Sequence, residues 1–192
     1  FRQMGVSNVA FLGGSAEDIV QKHAFQYDWV YLDPARRSAT NEKLVRVADL
    51  SPNVIELAPE IWKMTDQILV KLSPMLDLKQ VQREVPHIQE IRVIGIKNEV
   101  KEILLLIKKG YLSPPKITTL NYVHADKIDL FSFTFEEEER SFCRYDTPLQ
   151  YIYEPNACIL KSGAFQQIGV QFDLAKLAKH THLYTSNTLH TD

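Results

Sequence analysis

The stretch Tyr27-Asp28-Trp29-Val30-Tyr31-Leu32-Asp33-Pro34-Ala35-Arg36-Arg37 constrains the fold more than any other part of the chain. An aromatic and β-branched run climbs to Asp33, and Pro34 with the two arginines stops a regular continuation. It reads as a buried strand that ends at an acidic residue. In an open α/β sheet, ligands bind outside the carboxyl ends of the strands, which puts Asp33 where chemistry can happen. Asp-Pro is also ordinary turn chemistry, so on this dipeptide alone both readings stand.

Before that stretch, Asn8 to Leu12 reads as a short apolar strand closed by Gly13-Gly14. Ser15 is a good N-cap for a helix running towards His23, with Glu17 and Asp18 placed favourably in its first turn. After it, Ser38 to Asn41 reads as a loop. Ser51-Pro52 is expected to open a helix with Pro52 at the first position, carrying Ile55, Leu57, Ala58, Ile61 and Trp62. Gln67 to Leu72 is a third strand, ended by Ser73-Pro74, and Leu76, Leu78, Val81 and Val85 form a helical stripe. Strands alternating with helices argue for parallel pairing with right-handed crossovers. Glu90 to Lys97 and Val100 to Lys109 then read as a hairpin turning at Asn98-Glu99.

Ser113-Pro114-Pro115 marks the expected domain boundary, because two prolines there should not continue a sheet. Beyond it, Ile117 to Val123 and Ile128 to Phe135 read as strands. The run Glu136 to Glu139 reads as a solvated turn or edge, and Ser162-Gly163 to Leu177 has helical character. His180, His182 and His190 have no carboxylate or cysteine at a familiar metal-ligand spacing, so no metal site is assigned.

At 192 residues with 45% hydrophobic content, the chain can bury a sizeable core as one medium domain or two small ones. Its net charge of −2 excludes a domain that binds nucleic acid by overall charge. Any such role needs a local patch, for which Arg36, Arg37, Lys43 and Arg46 are the candidates beside a plain solvated loop. Cys143 and Cys158 are too few for a disulfide scaffold and imply a reducing, cytoplasmic setting. No apolar run approaches a membrane span: Ile103 to Ile107 is flanked by Glu102, Lys108 and Lys109.

The order strand, Gly14-Ser15-Ala16-Glu17-Asp18, helix, strand ending Asp33-Pro34-Ala35-Arg36, strand ending Ser73-Pro74 and hairpin resembles the second half of a class I S-adenosylmethionine-dependent methyltransferase. Two tail motifs, Pro148 to Ala157 and His182 to Ser186, resemble the segment that follows the methyltransferase domain in the bacterial subgroup with a THUMP-like C-terminal domain. The fold this implies is α/β: residues 1–112 as the C-terminal part of a Rossmann-like methyltransferase sheet, and 113–192 as a small α+β domain of ferredoxin-like or THUMP-like kind.

The resemblance also implies roles. Asp33, Pro34, Ala35 and Arg36 match the motif that faces the methyl donor and the target atom, where the Asp side chain accepts hydrogen bonds from an amino group being methylated. Ser15 and Ala16 fall where the family places its adenine contacts, with Glu17 or Asp18 as the carboxylate, and Asp33 also borders the S-adenosylmethionine site. Ser73 stands where a covalent route to a base carbon would want a cysteine, which argues against that route. The family's glycine-rich loop and the acidic residue that binds the donor's ribose have no counterpart here.

The chain, which begins at Phe1, is therefore expected to be a C-terminal fragment, inactive alone, of a protein that methylates an RNA base amino group. A non-catalytic RNA- or protein-binding module that keeps the fold is the alternative. RNA is the implied partner, a membrane is not, and exposed strand edges offer a route to oligomers.

Overall fold

The computed structural model describes residues 2–22, 25–36 and 46–190. Over these the chain is mixed α/β, with a six-stranded sheet, a three-stranded sheet and a two-stranded ribbon. After a helix α1 (Ala16–Lys22) come β1 (Val30–Leu32), β2 (Ala35–Arg36), β3 (Leu50–Ser51), α2 (Val54–Ile61), β4 (Gln67–Leu72), α3 (Leu78–Glu84), β5 (Ile88–Ile96) and β6 (Glu99–Lys108). Then follow β7 (Lys116–His124), β8 (Lys127–Phe133), α4 (Phe135–Arg140), β9 (Tyr151–Tyr153), α5 (Ala157–Ser162), α6 (Gln167–Gln171), β10 (Ala175–Lys176) and β11 (Tyr184–Ser186).

The large sheet runs β1-β4-β6-β5-β7-β8. β1 and β4 are parallel, with Leu32 opposite Val70, as the alternation of strands and helices predicts. β4 and β6 are antiparallel, and β5 and β6 form the expected hairpin. Its turn sits one residue earlier than expected, at Lys97-Asn98, where both φ angles are positive (51° and 63°). Asn tolerates that region, and two residues there match the twist of the flanking strands.

Alternation decides what is buried. In β4, Ile68, Val70 and Leu72 face the core while Gln67, Leu69 and Lys71 face the other way. α2 and α3 lie over the core face, contributing Val54, Leu57, Ile61, Leu78 and Val81. Such fully buried aliphatic side chains stabilise by about 1.5–3 kcal/mol each before conformational entropy is counted. The opposite face carries Leu69, Leu104 and Leu106, all half-buried and outside the core cluster.

Several expectations need correction. Asn8 to Leu12 is not a strand: β1 is an edge of the sheet, so among the described residues no neighbour offers the segment a ladder. Helix α2 starts at Val54 instead of Pro52, since Ser51 is held in β3 and Asn53 is the N-cap, accepting from the Ile55 (3.0 Å) and Glu56 (3.4 Å) amides. Pro114-Pro115 interrupts the chain but not the sheet, because β7 returns to pair in parallel with β5. Four glutamates expected as a solvated run form most of α4, whose capping box pairs Thr134 with Glu137, and Glu138 accepts from the Gln166 and Gln167 amides at 2.8 Å. The helical stretch after Ser162 is broken at Gly163, where φ is 80°, and only the five residues of α6 resume it.

The C-terminal elements form the small three-stranded sheet, in the order β10-β11-β9. Its centre pairs the two tail motifs with each other: Tyr184 lies opposite Tyr153, and Thr185 opposite Ile152. Thr185 donates its hydroxyl to Tyr151 O (2.8 Å) and accepts the Leu149 amide (2.8 Å). Docking on the large sheet is made by α5. Its N-terminal Ala157 amide donates to Asn98 Oδ1 (2.7 Å), and the Asn98 amide donates to Asn121 Oδ1 (3.0 Å). Lys161 donates to Leu76 O (2.8 Å), and the Cys158 sulfur fills the space above Gly95.

That last contact leaves no room for a side chain, since a Cβ on Gly95 would overlap Cys158 Sγ and stand 3.2 Å from Glu99 O. Gly95→Ala is expected to destabilise the fold by about 1–3 kcal/mol, the usual range for overpacking. Gly13→Ala, where nothing lies within 4 Å of the new methyl, should stay within about 0.5 kcal/mol of wild type. Urea denaturation of the two variants checks this, and equal stabilities would contradict the docking described.

Candidate functional site

Asp33 follows the last residue of β1, so its place is set by the parallel ladder with β4. The start of β1 is anchored as well: the Tyr27 amide donates to Met64 O (2.8 Å), and the hydroxyl of buried Thr65 lies 3.1 Å from Asp28 O. Beyond Asp33, Pro34 leads into β2, and Ala35 and Arg36 pair with Ser51 and Leu50. β2 and the returning strand β3 thus lie side by side just beyond β1. The return is tied down by Glu84 at the end of α3, which accepts the Val47 amide at 2.7 Å.

Among the described residues, the Asp33 carboxylate meets one cation. Lys71 Nζ stands 2.6 Å from Asp33 Oδ2, with the two side chains 35% and 49% exposed respectively. Lys71 is the fifth residue of β4, on the face away from the core, and lies opposite Leu104 of β6. Its pKa is raised above the ordinary lysine value, chiefly by the hydrogen bond to Asp33, with further support from the charge of Asp33 and from Tyr31 and Glu102. Glu102 sits two residues from Leu104 along β6 and so shares its face. The Lys71–Asp33 pair thus lies at the carboxyl ends of the parallel pair, with Glu102 on the same face of the adjoining strand.

The other expected site residues are placed differently. Ser15 caps α1, with its hydroxyl donating to Asp18 Oδ2 (2.8 Å) and accepting the Asp18 amide (3.0 Å). Ala16 and Glu17 form the first turn of that helix. Among the described residues, no hydrogen bond or ion pair joins Ser15, Ala16 or Glu17 to Asp33. Ser73 closes the turn after β4, its Oγ accepting the Met75 amide at 3.3 Å. Of the basic residues near the site, Arg37 and Lys43 lie outside the described residues, and Arg46 is paired with Asp49 at 3.2 Å.

Among the described residues, both cysteines and two of the histidines are buried or engaged in ring contacts. Both cysteines are buried thiols; desolvation pushes Cys158 up to about 11 and raises Cys143 as well, so neither is poised as a nucleophile. His182 stacks on Phe165 at 4.3 Å and His190 packs against Tyr153. Among the described residues, no group of three or more His, Cys, Asp or Glu side chains is arranged to hold a metal ion, and no helix is long and apolar enough to cross a membrane.

Lys71 and Glu102 are the residues that sequence reasoning missed. A signal was present for the first: Lys71 is the one charged residue in the strand Gln67 to Leu72, and period-two alternation sets it on the face opposite Ile68, Val70 and Leu72. Its meeting with Asp33 depends on the β1–β4 register, which no local pattern encodes.

Comparison with known proteins adds two findings. A family model for a ferredoxin-like domain matches residues 151–192, the segment that builds the small sheet. Among solved structures, the chain is similar to that of a "putative methyltransferase" from Porphyromonas gingivalis W83, with a TM-score of 0.78 and 36% identity over 85% of this chain. The match spans 41% of that protein's length. The curated proteins contain no match to this chain.

The raised Lys71 value carries a sign. Its contribution to stability is fully present below the ordinary lysine pKa and is lost as pH rises through the folded-state value. Replacing Asp33 by Asn should therefore bring the Lys71 titration down towards 10.5, the ordinary value. NMR titration of the Lys71 side chain in wild type and Asp33→Asn reads this directly, and superimposable curves would contradict the ion pair.

Proposed function

We propose that this chain is the acceptor-side part of a class I, Rossmann-like S-adenosylmethionine-dependent methyltransferase, and that the whole protein methylates an amino group of an RNA base in the cytoplasm. The observation that carries the reading is Asp33, which follows a parallel strand in the turn Asp33-Pro34-Ala35-Arg36, within a chain 36% identical to the protein from Porphyromonas gingivalis over 85% of its residues. Of the order that bears the resemblance, the helix, the two later strands and the hairpin are present as α1, β1, β4, β5 and β6, whereas the strand expected before Gly14 is not formed. RNA as substrate rests only on the appended domain and the resemblance of its tail motifs to a THUMP-like domain, since a net charge of −2 supplies no general attraction to phosphates.

The described residues do not fit the methyl donor by themselves. Gly13-Gly14 follows no strand, Ser15 is engaged in capping α1, and no acidic residue ends a strand on the outer side of β1. A donor of this kind needs backbone amides close to it and a carboxylate on its ribose. No transfer step is therefore routed through this chain alone. What the chain supplies is orientation: a fixed carboxylate that accepts an N–H from the acceptor group and so directs the nitrogen lone pair. The same lack of a donor cradle favours, for the isolated chain, the alternative of a non-catalytic binding module with a methyltransferase-like fold.

In a protein that joins this chain to its donor-binding part, Asp33→Ala should slow methyl transfer by roughly a hundredfold or more and leave donor affinity nearly unchanged. Ser73→Ala should stay within about threefold, as an oxygen spent on a turn takes no part in the chemistry. The measurement is single-turnover transfer of labelled methyl to RNA from a strain lacking the enzyme. Label on a protein or small molecule instead would remove the RNA assignment, and no label with no donor binding would leave the binding module as the better reading.

A further inference from the structure

We infer that Lys71 is a positioning residue for Asp33, holding one carboxylate oxygen so that the other is presented to a neutral N–H group; the role rests on the reading of Asp33 proposed above. An exposed aspartate at a strand end samples several rotamers, and each costs orientation at the moment of reaction. Here Oδ2 is taken by Lys71 Nζ at 2.6 Å. The lysine has a firm base, because β4 is hydrogen-bonded on both edges, to β1 and to β6. Its ammonium is also held in its charged form, with Asp33 on one side and Tyr31 and Glu102 contributing from β1 and β6.

The arrangement selects among acceptors. Asp33, Lys71 and Glu102 lie on three neighbouring strands, on the face away from the core, two negative charges to one positive, while Arg92 on the next strand is paired with Glu90 at 2.9 Å. A set of that sign favours an acceptor that is neutral when it binds and gains positive charge as it reacts, as an amino nitrogen does. It disfavours a carboxylate or phosphate oxygen at the same place. With Lys71 taking one lone pair of Oδ2, Oδ1 is the less engaged oxygen of Asp33, which suits an N–H of an exocyclic amino group.

The test uses the protein that joins this chain to its donor-binding part, with Lys71→Met, Lys71→Arg and Glu102→Gln. Lys71→Met should lower the single-turnover rate by about 10- to 100-fold while KM for the acceptor and donor affinity change less than about threefold. Lys71→Arg, which restores a cation to Asp33, should recover most of the rate, and Glu102→Gln should cost less than Lys71→Met. Should Lys71→Met lose its fold, Lys71→Gln, which keeps a donor without the charge, carries the same comparison. An active wild type with an unchanged Lys71→Met rate, or with Lys71→Arg as slow as Lys71→Met, overturns the positioning role alone. A wild type that transfers no methyl group overturns the reading of Asp33, and this role falls with it.

Discussion

The pairing of Gln67–Leu72 on both of its edges is the constraint on which the rest of the structure depends. On one edge the strand is parallel to Val30–Leu32, and on the other it is antiparallel to Glu99–Lys108. Because side chains alternate, the same ladder sends Ile68, Val70 and Leu72 into the core and turns Lys71 outward to meet Asp33. A slip of one residue would bury the lysine and expose the three aliphatic side chains together, so the hydrophobic pattern that folds the sheet also fixes the ion pair.

The consequence for function is a division of labour within the chain. One face of the large sheet carries the helices and the packed core, together with the docked ferredoxin-like unit through Asn98, Cys158 and Lys161. The other carries polar groups at the strand ends, among them Asp33, Lys71 and Glu102, beside the half-buried leucines Leu69, Leu104 and Leu106. Rigid strands are a better platform for a fixed carboxylate than a free loop, and the Asp33 turn is further steadied where Ala35 and Arg36 pair back onto Ser51 and Leu50. Among the described residues, groups that could hold a methyl donor are not assembled around it, which is the basis for proposing that the chain forms one side of a site.

Much of the fold was legible in the sequence because local periodicity carries it. Gln67 to Leu72 alternates cleanly, and Asn98 announces a tight hairpin, although its turn begins at Lys97. What was not legible is long-range. Asn8 to Leu12 has the composition of a strand, yet composition cannot supply the partner a ladder requires. Pro114-Pro115 looks like the end of a sheet, but β7 reaches back to β5, a pairing set by tertiary packing. At the site, Asp33 was found from its place after an apolar run. Lys71 was not, because its role comes from a register between segments separated by nearly forty residues.

The central claim is that this chain orients an acceptor and does not hold the donor. Calorimetric titration of the 192-residue chain with S-adenosylmethionine tests it most directly. The account predicts weak binding or none, with a dissociation constant in the millimolar range or beyond, about −4 kcal/mol or less in magnitude. A micromolar constant, about −8 kcal/mol, would show that the described residues do build a donor site and would contradict the account.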